Sequence, residues 1–138
     1  MRHAVAAAVI ALILGLGPAR AELMAEEGIG AFNVVYVFGD KIALADPWWA
    51  TLYTYAKDGN GVSNCTGPCT EAWPPALANA NDVPFEAFVV VERADGRRQW
   101  AYRGRPLYTS VLDKAKGDAN GKGIDDGWFI VEIEAHDM

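Results

Sequence analysis

The only two cysteines of the chain, Cys65 and Cys69, lie four residues apart in the segment CTGPC. In a turn or short helix this separation places the two Cα atoms about 6 Å apart, which is within reach of a disulfide bond. In an oxidising compartment we expect the thiols to pair, and the closed loop would stabilise the fold by about 2 kcal/mol. The alternative is a Cys-x3-Cys thiolate site for copper, because two soft sulfur ligands can bind Cu(I).

Histidine is scarce, and this restricts the other chemistry that the chain could perform. Apart from His3 near the N-terminus, the only histidine is His136 near the C-terminus. Met24 and Met138 are also close to the ends, so a third soft ligand for copper is hard to supply. A histidine zinc site, a Cys-x2-Cys-His haem attachment and a Ser-His-Asp triad cannot be assembled from these residues. We therefore expect a protein without catalytic activity.

The most distinctive pattern is a Tyr-x4-Asp motif that occurs twice, as Tyr53 with Asp58 and as Tyr108 with Asp113. Each motif follows a leucine and the two copies are offset by 55 residues, which indicates two copies of one β unit. In a structural interpretation, each tyrosine buries its ring and donates its hydroxyl proton to the aspartate of the turn that follows it. This structural role is the interpretation that we favour.

The same motifs also permit a functional interpretation. Tyrosine and tryptophan side chains could line a pocket with carboxylates at its lip, which would suit a cation or a flat cofactor. The candidate ligand-binding residues are Tyr53, Tyr55, Asp58, Trp73, Tyr108 and Asp113.

The segment 117–127, GDANGKGIDDG, partly resembles a calcium loop. Asp118, Asn120 and Gly123 fall at positions one, three and six of such a loop. Lys122 occupies a ligand position and Phe129 stands where a bidentate glutamate belongs, which excludes the helix-loop-helix version. A plain turn is favoured over a looser cage of oxygen ligands. The weak candidate metal ligands are Asp118, Asn120, Asp125 and Asp126.

The N-terminus has the pattern of a signal peptide. Residues 4–17 are apolar and uncharged, but this run is shorter than the roughly 20 residues that a membrane-spanning helix needs. Pro18 and the small-x-small sequence Ala19-Arg20-Ala21 follow it, as at a signal-peptidase site. We predict cleavage after residue 21 and export to the periplasm or the exterior. No cysteine lies near the cut, so we expect no lipid anchor.

The charge of the chain argues against nucleic acid as a partner. The formal net charge is −6, and removal of Arg2 and Arg20 with the leader lowers it to −8. A surface this negative disfavours the phosphate contacts that dominate nucleic-acid binding and repels anionic lipid headgroups. Residues 22–138 match the length of a single domain.

Short strands separated by turn residues dominate the rest of the sequence. A hairpin is predicted around Gly39-Asp40, a second β region begins at Phe85 with turns at Asp95-Gly96 and Arg103-Gly104, and a last strand covers 128–133. The only plausible helical segment lies within 65–80, where Pro68 suits a first helical position and Pro74 and Pro75 end the helix. The predicted fold is mainly β: a compact antiparallel sheet or sandwich of two pseudo-repeats, about 40–80 and 86–133, with one short helix.

The segments LYTYAKD, SNCTGPCTEAWPP, LYTSVLD and GDANGKGIDDGW resemble the bacterial "secreted repeat of unknown function" family. Its members are predicted lipoproteins with a tandem Tyr-x-aromatic-x-x-Asp motif, and the resemblance extends from about residue 42 to residue 131. It implies a periplasmic or secreted two-repeat β domain, in which Cys65, Cys69 and 73–75 fit the family segment Cys-x3-Cys-x3-Trp-Pro-Pro. Ser110 departs from the pattern, because the second copy has no aromatic residue at that position. The resemblance implies little about activity.

These observations together predict a non-catalytic periplasmic or secreted binding domain, whose contact surface is a groove beside Tyr53, Tyr55 and Trp73. Its partner would be a protein or a small molecule that the sequence does not name, and no cofactor is identified. The first alternative is a metal-handling or redox-associated protein, for copper or haem, that uses the Cys-x3-Cys segment. The second is a structural module stabilised by calcium. An enzyme is the least favoured possibility.

Overall fold

A computed structural model of the chain describes residues 31–122 and 126–134. The predicted leader, Met24, Gly123, Asp125, His136 and Met138 therefore lie outside the described residues. Within the described ranges, no helix is long and apolar enough to cross a membrane. The elements are β1 (Asn33–Val37), β2 (Lys41–Ala45), β3 (Tyr53–Tyr55), α1 (Cys69–Ala72), β4 (Phe88–Glu92), β5 (Arg98–Tyr102), β6 (Arg105–Pro106) and β7 (Trp128–Ile130).

The strands form three small antiparallel sheets, β1-β2, β3-β7 and β4-β5-β6. The prediction of a mainly β, antiparallel fold with one short helix is confirmed. The turn between β1 and β2 has positive φ at Phe38 (52°) and Gly39 (88°), and the turn between β5 and β6 repeats this pattern at Arg103 (51°) and Gly104 (81°). Val37 pairs with Lys41, so the first turn has three residues, whereas Tyr102 pairs with Arg105 and the second turn has two. Positive φ values match the twist of the flanking strands, and glycine adopts them without steric cost.

The helix is shorter than the segment in which it was expected. Pro68 stands at its N-terminal cap, and the helix ends before Trp73. Pro74 and Pro75 then continue as extended chain, and Pro75 forms an antiparallel bridge with Tyr108. A proline disfavours the helical conformation in the residue before it, so two consecutive prolines end the helix and begin an extended segment.

The final extended segment of each repeat pairs with the strands of the other repeat. At the end of the second repeat, the N–H of Val131 donates to the carbonyl of Leu52 at 3.1 Å, and the N–H of Leu44 donates to the carbonyl of Val131 at 2.8 Å. At the end of the first repeat, Ala76 makes the same two bonds with Leu107 (2.9 Å) and Trp100 (2.8 Å). The two repeats therefore exchange their last strands, which the sequence analysis did not predict.

The centre of this exchange lies between Tyr53 and Tyr108. The N–H of each residue donates to the carbonyl of the other, at 2.8 Å and 2.9 Å. Such a reciprocal pair has an approximate twofold axis between its members, and this axis relates the two repeats. Because each repeat completes the other, the described residues of both repeats form one interlocked structure.

Candidate functional site

The two motif tyrosines bind the motif aspartates, but each binds the aspartate of the other repeat. The hydroxyl of Tyr53 donates to Oδ2 of Asp113, and the hydroxyl of Tyr108 donates to Oδ2 of Asp58, both at 2.7 Å. The prediction that each tyrosine bonds to the aspartate of its own copy is therefore wrong. The strand exchange explains the difference, because it places each tyrosine opposite the turn of the other repeat.

An asparagine completes each carboxylate site, and sequence reasoning missed both. Oδ1 of Asp58 accepts the N–H of Asn64 at 2.6 Å, and Oδ1 of Asp113 accepts the N–H of Asn120 at 2.8 Å. The side-chain amide of each asparagine also donates to the carbonyl of the residue before the aspartate. Asn64 donates to Lys57, and Asn120 donates to Leu112. The signal was present in the sequence, since an asparagine follows the aspartate by six residues in one copy and by seven in the other.

Burial keeps both tyrosine hydroxyls protonated. The burial of Tyr108 and its hydrogen bond to Asp58 raise its pKa to about 12, from an ordinary value of 10.0, against the opposing effect of a bond from Ser63. Burial, followed by the bond to Asp113, also raises the pKa of Tyr53. At ordinary pH these hydroxyls are neutral donors that hold the repeats together.

The predicted aromatic groove is filled by the rings themselves. Trp73 and Trp128 stack with centroids 3.9 Å apart and planes 5° apart, and they are related by the 55-residue offset of the motif. Tyr53 contacts Trp73 edge-on and Tyr108 contacts Trp128 in the same way, each at 5.1 Å. Tyr55 stacks on Trp128 at 4.3 Å.

These rings form an interior and not an open groove. Tyr53 and Tyr108 are fully buried, and Trp73 is only 7% exposed. The expectation of an open contact surface beside Tyr53, Tyr55 and Trp73 is corrected on this point, because the ring faces that would bind a ligand are covered by other rings. Sequence reasoning identified Trp73 but missed its partner Trp128. Ligand binding by these residues stays a prediction.

Cys65 and Cys69 form a disulfide bond, with Cα atoms 5.3 Å apart. A disulfide offers no thiolate, so copper binding by this pair would require its reduction. The carbonyl of the fully buried Cys65 accepts a bond from Nη2 of Arg93 at 2.8 Å. Among the residues that the structure describes, no three His, Cys, Asp or Glu side chains are grouped so that they could hold a metal ion.

Arg93 is a buried cation that sequence reasoning missed. It is 5% exposed, and its Nη1 donates to Oγ of Ser63 at 2.9 Å. Oγ of Ser63 lies 2.6 Å from the hydroxyl of Tyr108, which in turn donates to Asp58. A chain of hydrogen bonds therefore links the buried guanidinium to the half-buried carboxylate of the motif. The ion pair of Arg93 is with Asp95, whose Oδ2 lies 3.8 Å from Nε.

Two of the weak metal candidates, Asp118 and Asn120, make local backbone contacts. Oδ2 of Asp118 accepts the N–H groups of Lys114 and Ala115 at 2.8 and 2.9 Å, and these bonds lower the pKa of the carboxyl group. Asn120 belongs to the motif site described above, and Asp126 is exposed. Asp125 and Gly123 lie outside the described residues, so the calcium loop stays a prediction.

A cavity of about 400 Å³ opens elsewhere, beside the turn that follows β2. Phe32, Trp48 and Trp100 line it together with the carboxylate residues Asp46 and Asp82. The side chain of Trp48 is 82% exposed, the largest exposed fraction among the big hydrophobic residues described. This surface was not predicted from the sequence, although the adjacent pair of tryptophans after Asp-Pro is a signal that could have revealed it.

Comparison with known proteins gives a family and no characterised relative. No curated protein and no solved structure matches the chain. A family profile described as "Secreted repeat of unknown function" matches residues 44–77 and 89–132, which is more than half of the chain and includes both copies of the motif. The chain belongs to this family of secreted repeats.

Proposed function

We propose that this protein is a non-catalytic binding module of the periplasm or the exterior, and that it contacts its partner through the surface around Trp48. The observation that carries the proposal is the contrast between the two aromatic regions. The motif tyrosines and aspartates bond to one another, whereas Trp48 lies 82% exposed beside an open cavity. A cavity lined by aromatic side chains and a few polar groups is the usual form of a small-molecule site, and Trp48 is its exposed aromatic residue.

The turn that carries Trp48 is held firmly. Oδ1 of Asp46 accepts the N–H groups of Trp48 and Ala50, both at 2.9 Å, and the carbonyl of Asp46 accepts the N–H of Trp49 at 3.0 Å. Trp49 has a φ of 72°, and its ring lies under Nζ of Lys116 at 3.6 Å. A bulky residue in this conformation costs about 1–3 kcal/mol, so surrounding contacts must maintain it. The backbone of such a fixed turn loses little conformational entropy when its surface binds a partner.

The absence of a catalytic role is part of the proposal and rests on the state of the motif groups. Both tyrosine hydroxyls have a raised pKa, and both carboxylates accept two hydrogen bonds from this chain. A general base at neutral pH needs a pKa near that pH and a free lone pair that faces a substrate. The tyrosines do not meet the first requirement, and both oxygens of each carboxylate already face donors of the protein and not a substrate.

Native mass spectrometry of the protein, purified from the extracytoplasmic fraction of its own host, tests the proposal. We expect a bound molecule or partner that is retained by the wild type, lost by Trp48→Ala and kept by Tyr36→Ala. Tyr36 is a matched control, because it is 70% exposed and does not line the cavity. Equal retention by all three proteins would contradict the proposal, and a copper, calcium or haem adduct would favour the metal-handling or calcium alternative.

A further inference from the structure

We infer that the cavity beside Trp48 binds a small organic cation with an alkylammonium group. This inference rests on the proposed function and adds the chemical class of the ligand. Aromatic rings and carboxylates line the same cavity, and no lysine or arginine is among its lining residues.

Three aromatic side chains line the cavity, Phe32, Trp48 and Trp100. Phe32 and Trp100 are almost completely buried, and Phe32 stacks on Phe88 with centroids 4.4 Å apart, so these two rings give the cavity a rigid apolar lining. Trp48 is the exposed ring, whose face a ligand can reach. The negative face of an aromatic ring attracts an ammonium group, most strongly when the ring is that of tryptophan.

The two carboxylates have bonding capacity left for a ligand. One oxygen of Asp46, Oδ1, accepts the two N–H groups of its turn, and Oδ2 of Asp82 accepts the N–H of Asn79 at 2.7 Å. The second oxygen of each carboxylate has no hydrogen-bond partner in the described part of the chain. Neither aspartate belongs to an ion pair there, since the three pairs present involve Asp95 and Glu132 as acids.

Arg98 lies beside Asp82 but forms no ion pair with its carboxylate, and two carboxylates outnumber this one guanidinium. Nη2 of Arg98 donates to the backbone carbonyl of Asp82 at 3.0 Å, and Nη1 donates to the carbonyls of Asn79 and Ala80. The guanidinium is therefore engaged by three carbonyl groups and not by the carboxylate. The cavity keeps a net negative charge, which complements a cation.

The same residues argue against other occupants. A bare metal ion would find two carboxylates but otherwise mostly rings and apolar side chains, which are not ligands for hard cations. The chain that precedes Ala31, which itself lines the cavity, carries Glu22, Glu26 and Glu27 and no basic side chain between residues 22 and 30, so no side chain of this segment supplies a cation. A volume of about 400 Å³ lies at the lower end of the range for small-molecule sites.

Choline is a suitable probe, and its neutral analogue, in which carbon replaces the ammonium nitrogen, is the matched control ligand. Titration followed by tryptophan fluorescence at low ionic strength should show choline binding at least about tenfold more tightly than the analogue. The double variant D46N/D82N keeps the carbonyl acceptors of both turns, so it should fold normally and bind choline about tenfold more weakly. Asp40→Asn, an exposed acid outside the cavity, should bind like the wild type.

The outcomes separate this inference from the proposed function. Equal affinity for choline and its analogue, or choline binding that D46N/D82N leaves unchanged, would overturn the cation assignment. If neither probe binds but Trp48→Ala still loses its partner in the mass-spectrometric experiment, the ligand class is wrong and the binding function stands. If neither probe binds and Trp48→Ala retains everything that the wild type retains, both proposals fail.

Discussion

The exchange of hydrogen bonds between the two repeats predicts which pairs of substitutions will be coupled energetically. Tyr53 bonds to Asp113 and not to Asp58, although Asp58 is only five residues away in the sequence. We therefore consider Tyr53→Phe in combination with Asp113→Ala, and, as the matched control, Tyr53→Phe in combination with Asp58→Ala. The mirror-image pair is Tyr108→Phe with the same two aspartate variants.

The expected magnitude follows from the chemistry of the bond. A hydrogen bond to a charged group contributes about 1.5–3 kcal/mol, and the hydroxyl of Tyr53 has one such bond, to Asp113 at 2.7 Å. Tyr53→Phe should lower the free energy of unfolding by that amount. Because the bond can be lost only once, the coupling energy with Asp113→Ala should be about 1–2 kcal/mol, whereas the coupling with Asp58→Ala should stay below about 0.5 kcal/mol.

Urea unfolding of the wild type, the single variants and the double variants gives the coupling energies directly. The comparison holds if all proteins unfold with the same dependence on urea, because an unchanged slope means that the native and denatured states are comparable. A larger coupling between Tyr53 and Asp58 than between Tyr53 and Asp113 would refute the exchanged arrangement. It would show that each repeat closes its own motif, as the sequence alone had suggested.

Three further predictions concern stability. Replacing both disulfide cysteines with alanine should lower the free energy of unfolding by about 2 kcal/mol in urea, and a loss below about 0.5 kcal/mol would contradict a stabilising role. Gly121→Ala would place a Cβ atom 2.5 Å from Cη2 of Trp73, so overpacking should cost about 1–3 kcal/mol; an unchanged melting temperature would contradict this. The folded protein retains the proton of Tyr108 between pH 10 and about pH 12, where the unfolded chain loses it, so stability should be complete below pH 10 and fall above it. Circular dichroism across this range should show a shallower fall in Tyr108→Phe, and identical profiles would be inconsistent with the raised pKa.

The sequence was informative wherever a structural preference is local. The hairpin turns were predictable because glycine and its neighbours adopt positive φ at those positions, and the disulfide was predictable because two cysteines four residues apart are within reach of each other. The position of the helix was predicted from Pro68 and Pro74, although its four residues are fewer than expected. The repeat itself was visible as a 55-residue offset between identical residues.

The sequence was uninformative wherever two equivalent partners compete. Both motifs contain a tyrosine and an aspartate with the same spacing, so pairing within a copy and pairing between copies satisfy the same donors and acceptors. Only the path of the chain after each motif decides between them. The same holds for Trp73 and Trp128, whose stacking requires the two repeats to face each other.

The rings of the motif and the surface around Trp48 are both aromatic, yet the first are buried and the second is exposed. Amino-acid composition does not predict this difference. The sequence by itself determined that this is a β-rich, two-repeat chain of a secreted family, with one disulfide and a duplicated Tyr-Asp motif. The tertiary structure decided that the motif rings lie in the core and that Trp48 lies on the surface. The physical reason is that burial depends on what the rest of the chain places over a side chain: the rings of the two motifs cover one another, whereas Trp48 stays open to solvent.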